Sequence, residues 1–212
     1  MSNFKSLAAI VACTAVGAFS PAAHAATELI VNGGFESPVN AFAGSFTTYT
    51  SGLDGWVIND GSVDLINSYW APAAGSYSLD LNGSGAGSIS QSFATQIGKT
   101  YNVSFSMAGN PDNGGGNIKT ISANVTTPNV FSFDIVGKSA ANMGWVTQTF
   151  TFVAAGNSST LTFVGAPANT FYGAALDQVS VMEAVPEPET YAMLLAGLGM
   201  VGYLARRRKN TV

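Results

Sequence analysis

Between residues 100 and 165 the chain repeatedly alternates apolar and polar side chains with a period of two. Tyr101, Val103, Phe105 and Met107 interleave with Asn102, Ser104 and Ser106. Ile121, Ala123 and Val125 do the same with Ser122 and Asn124, and Phe131, Phe133 and Ile135 with Ser132 and Asp134. Successive side chains of a strand point to opposite faces, so each run predicts a strand with one face on a core and one in water. Residues 145–153 and 160–164, rich in Thr, Val and Phe, suit the same pleated surface. Turn chemistry separates the runs: Gly83-Ser-Gly85, Gly98-Lys99, the Gly-rich stretch 110–116, Thr127-Pro-Asn129 and Ala155-Gly-Asn157. No comparable stretch carries a helical period. Many short strands with regular turns predict an all-β fold, an antiparallel β-sandwich or jelly roll.

The two ends of the chain read differently. Met1-Ser-Asn-Phe-Lys5 puts one positive charge ahead of an apolar run over residues 7–19, closed by Ser20-Pro21 and the pattern Ala23-His24-Ala25. A basic start, a short apolar core and an A-x-A site mark a secretory signal peptide. Residues 1–25 are therefore expected to engage the Sec translocon and to be cut off after Ala25. At the other end, Val185-Pro-Glu-Pro-Glu-Thr190 is proline-rich. Proline removes backbone donors and holds an extended path, which marks a linker. Residues 191–205 carry no charge and lead into Arg206-Arg-Arg-Lys209. Such a helix would be about 22 Å long, short of the roughly 20 residues that span a bilayer comfortably. Snorkelling arginines and local thinning would close the gap. The expectation is a transmembrane helix over about 190–205, with the basic cluster 206–209 cytoplasmic and residues 26–184 outside.

The 159 residues between the ends are a comfortable size for one core and an awkward one for two. The only cysteine, Cys13, and the only histidine, His24, both fall in the leader. Residues 26–184 therefore lack an internal disulfide, a thiol nucleophile, an imidazole base and every Cys/His metal ligand. Serine–histidine and cysteine–histidine catalysis are excluded. The same residues hold three lysines, ten acids and no arginine, a net charge of −7. Nucleic acid and anionic membrane surfaces are poor partners for that charge.

Pro186-Glu187-Pro188, a short apolar helix and a terminal basic cluster resemble the PEP-CTERM sorting signal of exported Gram-negative proteins, over about residues 185–209. The resemblance implies recognition at Pro186, Glu187 and Pro188 by an exosortase, a membrane cysteine peptidase-transpeptidase. It also implies a helix that anchors the chain in the inner membrane only until processing. The protein would then reach the cell surface or extracellular matrix, and the family's association with exopolysaccharide production implies a biofilm-matrix setting.

A second resemblance runs through residues 26–184. Val31-Asn-Gly-Gly-Phe-Glu36, Leu53-Asp-Gly-Trp-Val57, Gly61-Ser-Val-Asp-Leu65 and Ser78-Leu-Asp-Leu-Asn-Gly83 come in order. Ile89-Ser-Gln-Ser-Phe93, Gly98-Lys-Thr-Tyr101, Gly144-Trp145, Phe150-Thr-Phe152 and Leu176-Asp-Gln-Val-Ser-Val181 follow. The series resembles the galactose-binding-domain-like β-sandwiches, which include many carbohydrate-binding modules. It is closer to the DUF642-like proteins and the family named choice-of-anchor C. The resemblance implies a galactose-binding-like jelly roll and supplies no established activity.

Two sets of site residues follow. Asp177 shares parity with Val179 and Val181, which predicts a carboxylate pointing into the core. A buried carboxylate needs a cation or several donors. With no His or Arg, its partner is Ca²⁺, backbone amides or a lysine. Related sandwiches hold a structural Ca²⁺ between the opening motif and the last strand, which here implies Glu36, Asp177 and backbone carbonyls around Gly34. Hydrogen bonds tying the first strand to the last are the alternative. Among the aromatics, Trp56 and Trp145 read as core. Tyr69-Trp70, beside Ala71-Pro72, and Phe171-Tyr172 read as loops. With Tyr77, Asp64 and Asn67, the residues Tyr69, Trp70 and Tyr172 predict a sugar-binding surface.

The function expected is a non-catalytic carbohydrate- or exopolysaccharide-binding surface protein. Its alternatives are a structural or adhesive matrix protein without a discrete ligand and a polysaccharide hydrolase working through paired carboxylates.

Overall fold

The computed structural model describes residues 27–37, 44–112, 114–184 and 188–209. The expected signal peptide, and Pro186 and Glu187 of the sorting motif, lie outside the described residues. Ala26–Val185 forms one compact unit.

The alternating runs become antiparallel strands in two sheets. In chain order the strands are β1 (Phe46–Tyr49), β2 (Val57–Asp60), β3 (Val63–Ile66), β4 (Ser78–Asp80), β5 (Ser88–Ala94) and β6 (Thr100–Gly109). After them come β7 (Ile118–Asn124), β8 (Pro128–Asp134), β9 (Val146–Val153), β10 (Ser158–Gly165) and β11 (Ala174–Glu183). One sheet has the order β1-β3-β4-β11-β6-β9 and the other β2-β5-β10-β7-β8. The expected all-β antiparallel architecture is therefore what forms, with a single short 3-10 turn at Pro167–Asn169 among the described residues of the unit.

The core lies where the inward faces meet. Tyr101, Val103, Phe105 and Met107 of β6 are all buried, as the alternation requires. Phe105 bridges the two sheets, its ring edge-on to Phe131 at 5.2 Å and to Phe163 at 5.1 Å. Trp56 packs on Phe35 at 5.8 Å and Phe163 at 6.1 Å and is buried, as its reading as core requires. Trp145 packs against the core only half-buried, and its indole donates to the Ala71 carbonyl at 2.9 Å. Burying side chains of this size stabilises the fold by about 1.5–3 kcal/mol each. Gln91 is the one inward amide of β5, and its partners account for it: Val31 N–H donates to Oε1, and Nε2 donates to the carbonyls of Val31 and Gly55.

Two local expectations change. Pro128 and Asn129, read as a turn, open β8. Proline is tolerated there because β8 is an edge strand and Pro128 is its first residue. Asp177 does not point into the core. Its partner across the pair with β6 is Ser106, which alternates with the core residues Phe105 and Met107, so both face away from the sandwich interior. The register then shifts between Asp177 and Ser180, at Gln178 with φ of 48°. This bulge inserts one residue and reverses parity, so Val179 and Val181 are inward while Asp177 is outward.

Asp177 is nevertheless fully buried, as are Ser78 and Asp80 on the same outer face. The segment 67–77, between β3 and β4, folds across that face. Trp70 Nε1 donates to Ser78 Oγ at 2.8 Å, and the amides of Ala73 and Ala74 donate to Asp177 Oδ2 at 2.9 and 3.1 Å. A polar strand face is thus closed by hydrogen bonds to its cover, as burial of polar groups demands.

Beyond the unit, a helix α1 runs over Pro188–Lys209, covering the stretch where one was expected. Leu194, Leu195, Leu198, Met200, Val201 and Tyr203 on it are exposed. Among the described residues no helix is long and apolar enough to cross a membrane.

Candidate functional site

The outer face of the six-stranded sheet carries a short cross-strand ladder. Thr48 of β1 pairs with Asp64 of β3, and Asp64 pairs with Asp80 of β4. One step along, Phe46 pairs with Ile66. All five residues line a groove of about 470 Å³, walled by the segments around Tyr69, Ser84, Asp112 and Phe171. Antiparallel register alone places these side chains on one face.

Its polar floor is organised by Asp80. The carboxylate accepts the amides of Asn82 and Gly173 at Oδ1, at 2.9 and 3.0 Å, and Asn110 Nδ2 at Oδ2, at 2.9 Å. Asn110 in turn accepts the Asp112 amide at Oδ1, and its own N–H donates to the Gly173 carbonyl. Asp80 and Asn110 therefore clamp the end of β6 to the start of β11. Burial pushes the Asp80 carboxyl up to about 7, outweighing the three donors that favour its ionised form. Asp64 is pushed up in the same direction, again by burial, against the opposing bond from Thr48 Oγ1 at 2.6 Å.

The rim is aromatic and acidic. Tyr69 donates its hydroxyl to Asp112 Oδ2 at 2.5 Å, which holds the phenol protonated and lifts its pKa to about 12. Phe46, Tyr69 and Phe171 are 45%, 38% and 57% exposed, so hydrophobic rings stand in water beside carboxylates. Tyr172 is fixed from behind. A Cβ added to Gly114 would lie 2.1 Å from its ring, so only glycine lets the loop pass flat against it. Lys119 sits 5.9 Å from the same ring's centroid and donates to the carbonyls of Asp112 and Gly114 at 3.2 and 2.8 Å. Lys119 is fully buried, and burial lowers its pKa.

Of the residues expected to form a sugar-binding surface, Asp64, Tyr69, Trp70 and Tyr172 line this groove, while Asn67 and Tyr77 do not. Tyr77 is half-buried against the core. Trp70 lies in a loop as expected, but its ring is only 3% exposed, because its indole closes over Ser78. It is a wall and not a stacking platform. Phe46, Thr48, Asn110 and Asp112 escaped the sequence reading, and Asp80 entered it only as an acid of the Ser78–Gly83 motif and not as part of a sugar-binding surface. The signal for Asn110-Pro-Asp112 was present, since Asn accepting an amide two residues on is common turn chemistry, but nothing local ties it to Asp80.

The residues carried over as a calcium site do come together. Gly34, Glu36 and Asp177 line a shallow depression of about 420 Å³. Their acceptor oxygens face backbone donors: Asp177 takes the amides of Ala73, Ala74 and Gln178, and Glu36 Oε1 takes those of Ser76 and Tyr77. Amide hydrogens so placed repel a cation from the same lone pairs. Among the described residues no group of three or more acidic, His or Cys side chains is arranged to hold a metal ion. The segment around Leu29 and Gly33, which is not itself a strand, is also tied to β11 directly, through Leu29 N–H to the Val181 carbonyl and Val179 N–H to the Gly33 carbonyl.

A protein of 30% identity over 175 residues is halomucin of Haloquadratum walsbyi, of which the match spans 77% of this chain and 2% of the relative's own length. Among solved structures, a cyclase of Fischerella sp. TAU aligns with a TM-score of 0.54 at 16% identity, covering 76% of this chain and 99% of that one. An apo-form cyclase from Fischerella sp. gives 0.54 at 15% identity, covering 76% and 98%. Identity this low speaks to the fold alone. The PEP-CTERM protein-sorting motif matches residues 184–209, which marks the chain for export and exosortase sorting to the cell envelope. Residues 28–182 match the model described as protein of unknown function DUF642, and the chain belongs to that family.

Proposed function

We propose that this is a surface or matrix protein whose sandwich binds carbohydrate without altering it, in the groove on the outer face of its six-stranded sheet. The observation that carries the reading is the company of exposed rings and hydrogen-bonding side chains in one concave site. Phe46, Tyr69 and Phe171 offer apolar faces for the C–H face of a sugar. Asp64 and Asp112 accept its hydroxyls. Sites for small polar molecules combine these two features: apolar area supplies affinity and a few placed polar groups supply orientation. The clamp at Asp80 keeps the walls fixed before the ligand arrives, which reduces the ordering cost of binding. The sorting motif supports a setting where glycans are abundant. There, α1 acts as a temporary anchor until an exosortase cuts at the Pro186-Glu187-Pro188 motif.

The test is a glycan array with the full chain in mild detergent, including the exopolysaccharide of the producing cell. Tyr69→Ala and Phe171→Ala are each expected to weaken the best binder at least about tenfold. Absence of binding to any glycan would overturn the proposal in favour of a structural matrix role. Release of reducing ends from the polymer would overturn its non-catalytic part.

A further inference from the structure

The charge of the groove narrows its ligand further, and this step rests on the carbohydrate reading above. Three carboxylates line the groove, those of Asp64, Asp80 and Asp112, and no lysine or arginine is among its lining residues. Lys119 acts electrostatically on Asp80 and Asp112, but from behind the wall and not from the ligand side. Lys119 is fully buried behind the wall, and its ammonium is committed to the carbonyls of Asp112 and Gly114.

Two of the acids retain accepting capacity. Asp112 is exposed and uses Oδ2 for the Tyr69 hydroxyl, so its Oδ1 has no hydrogen bond among the described residues. Asp64 uses Oδ1 for Thr48 and likewise keeps Oδ2. Exposed rings stand beside them. An ammonium gains from both neighbours at once, through charge-assisted hydrogen bonds to carboxylates and attraction to the negative face of an aromatic ring. A uronate or sulfate ester would meet like charges with no lysine or arginine on the groove lining to pair with it, a penalty that several hydroxyl contacts would not offset.

We propose that the groove selects sugars bearing a free, protonated amino group and rejects uronic-acid and sulfated sugars. Asp112 is the principal partner of the amine, because it is exposed and tethered by Tyr69. Asp64 lies further in and takes a ring hydroxyl. An N-acetyl group at the same carbon removes the charge and is discriminated against together with the plain hydroxyl.

The experiment uses the full chain in detergent near neutral pH and short oligosaccharides in matched trios. Members differ only in an amino, N-acetylamino or hydroxyl group at one carbon, in gluco, galacto and manno configurations. The amino member of at least one trio should bind at least about tenfold more tightly than its hydroxyl twin. Asp112→Asn should shrink that ratio to about twofold or less. Asp134→Asn, which removes an exposed acid at the end of β8 on the other sheet, should leave the ratio as it was. Equal or weaker binding of every amino member overturns the inference and leaves the carbohydrate reading standing. A preference that Asp134→Asn erodes as much as Asp112→Asn also overturns it, since that would be general attraction to an acidic protein. Failure of every sugar to bind removes the carbohydrate reading and the inference with it.

Discussion

Asp64 of β3 and Asp80 of β4 are direct partners across an antiparallel pair, two acids side by side on a sheet face that the loops largely cover. Like charges opposite one another repel, and the Asp64 charge adds to the burial that lifts Asp80. The folded state therefore favours a proton that the unfolded chain, with an ordinary carboxyl near 3.8, releases. The stabilisation is fully present below that ordinary value and is lost as pH rises through about 7. Asp177, lifted mainly by burial to about 6, acts in the same direction. Stability, and with it the melting temperature, should accordingly fall as pH rises from about 4 to about 7, by an amount on the order of a few kcal/mol. Asp80→Asn should flatten that slope. A slope unchanged in the variant would show that Asp80 does not titrate in this range.

Asp177 supplies acceptors to three amides, two of them in the segment that covers the sheet. Asp177→Ala leaves those N–H groups without partners, at a cost of about 2–4 kcal/mol. For a domain of this size that is a fall in melting temperature of roughly 5–15 °C. Asp177→Asn keeps an acceptor and should lose less. Thermal denaturation of the two variants side by side checks the order.

Calcium can be judged by the same measurement. With five amides facing Asp177 and Glu36, a chelator is expected to leave the melting temperature where it was. A ligand bound at a hundred times its Kd would contribute about 2.7 kcal/mol, so a drop of several degrees on chelation would establish a structural ion at Gly34, Glu36 and Asp177.

Trp70 tests the difference between a wall and a platform. Trp70→Phe retains most of the buried ring and removes the bond to Ser78 Oγ, orphaning a buried hydroxyl. A loss of about 1–3 kcal/mol in stability is expected. The amino-sugar Kd, measured on the folded variant, should change by less than about threefold. A selective loss of binding with stability intact would make Trp70 a contact residue.

Period-two alternation was a sound guide wherever a strand ran straight. Val103, Phe105 and Met107 are buried because nothing interrupts β6, and the same logic holds for Ile121 with Ala123 in β7. It failed at Asp177, where one inserted residue at Gln178 turned the side chain to the opposite face. Alternation reports parity along a segment, and a bulge resets parity without any marker in residue type. Only part of the groove was legible, for a related reason. Tyr69-Trp70 and Phe171-Tyr172 stand out as aromatics in loops, whereas Phe46 and Thr48 look like any strand residues until register sets them beside Ile66 and Asp64.

Residue content settled what chemistry residues 26–184 lack. With no Cys, His or Arg there, no arrangement of the chain could create thiol, imidazole or guanidinium chemistry. Local pattern likewise carried the sandwich and the sorting motif, since both are written in consecutive residues. The groove is a different kind of object. Asp64, Asp112 and Phe171 meet because β11 inserts between β4 and β6, bringing chain segments more than a hundred residues apart to one edge of one face. The partners of Asp80 and Asp177 are largely backbone amides, which every non-proline residue carries and no sequence distinguishes. Folding alone determines which of those donors arrive, and with them the charge of the site.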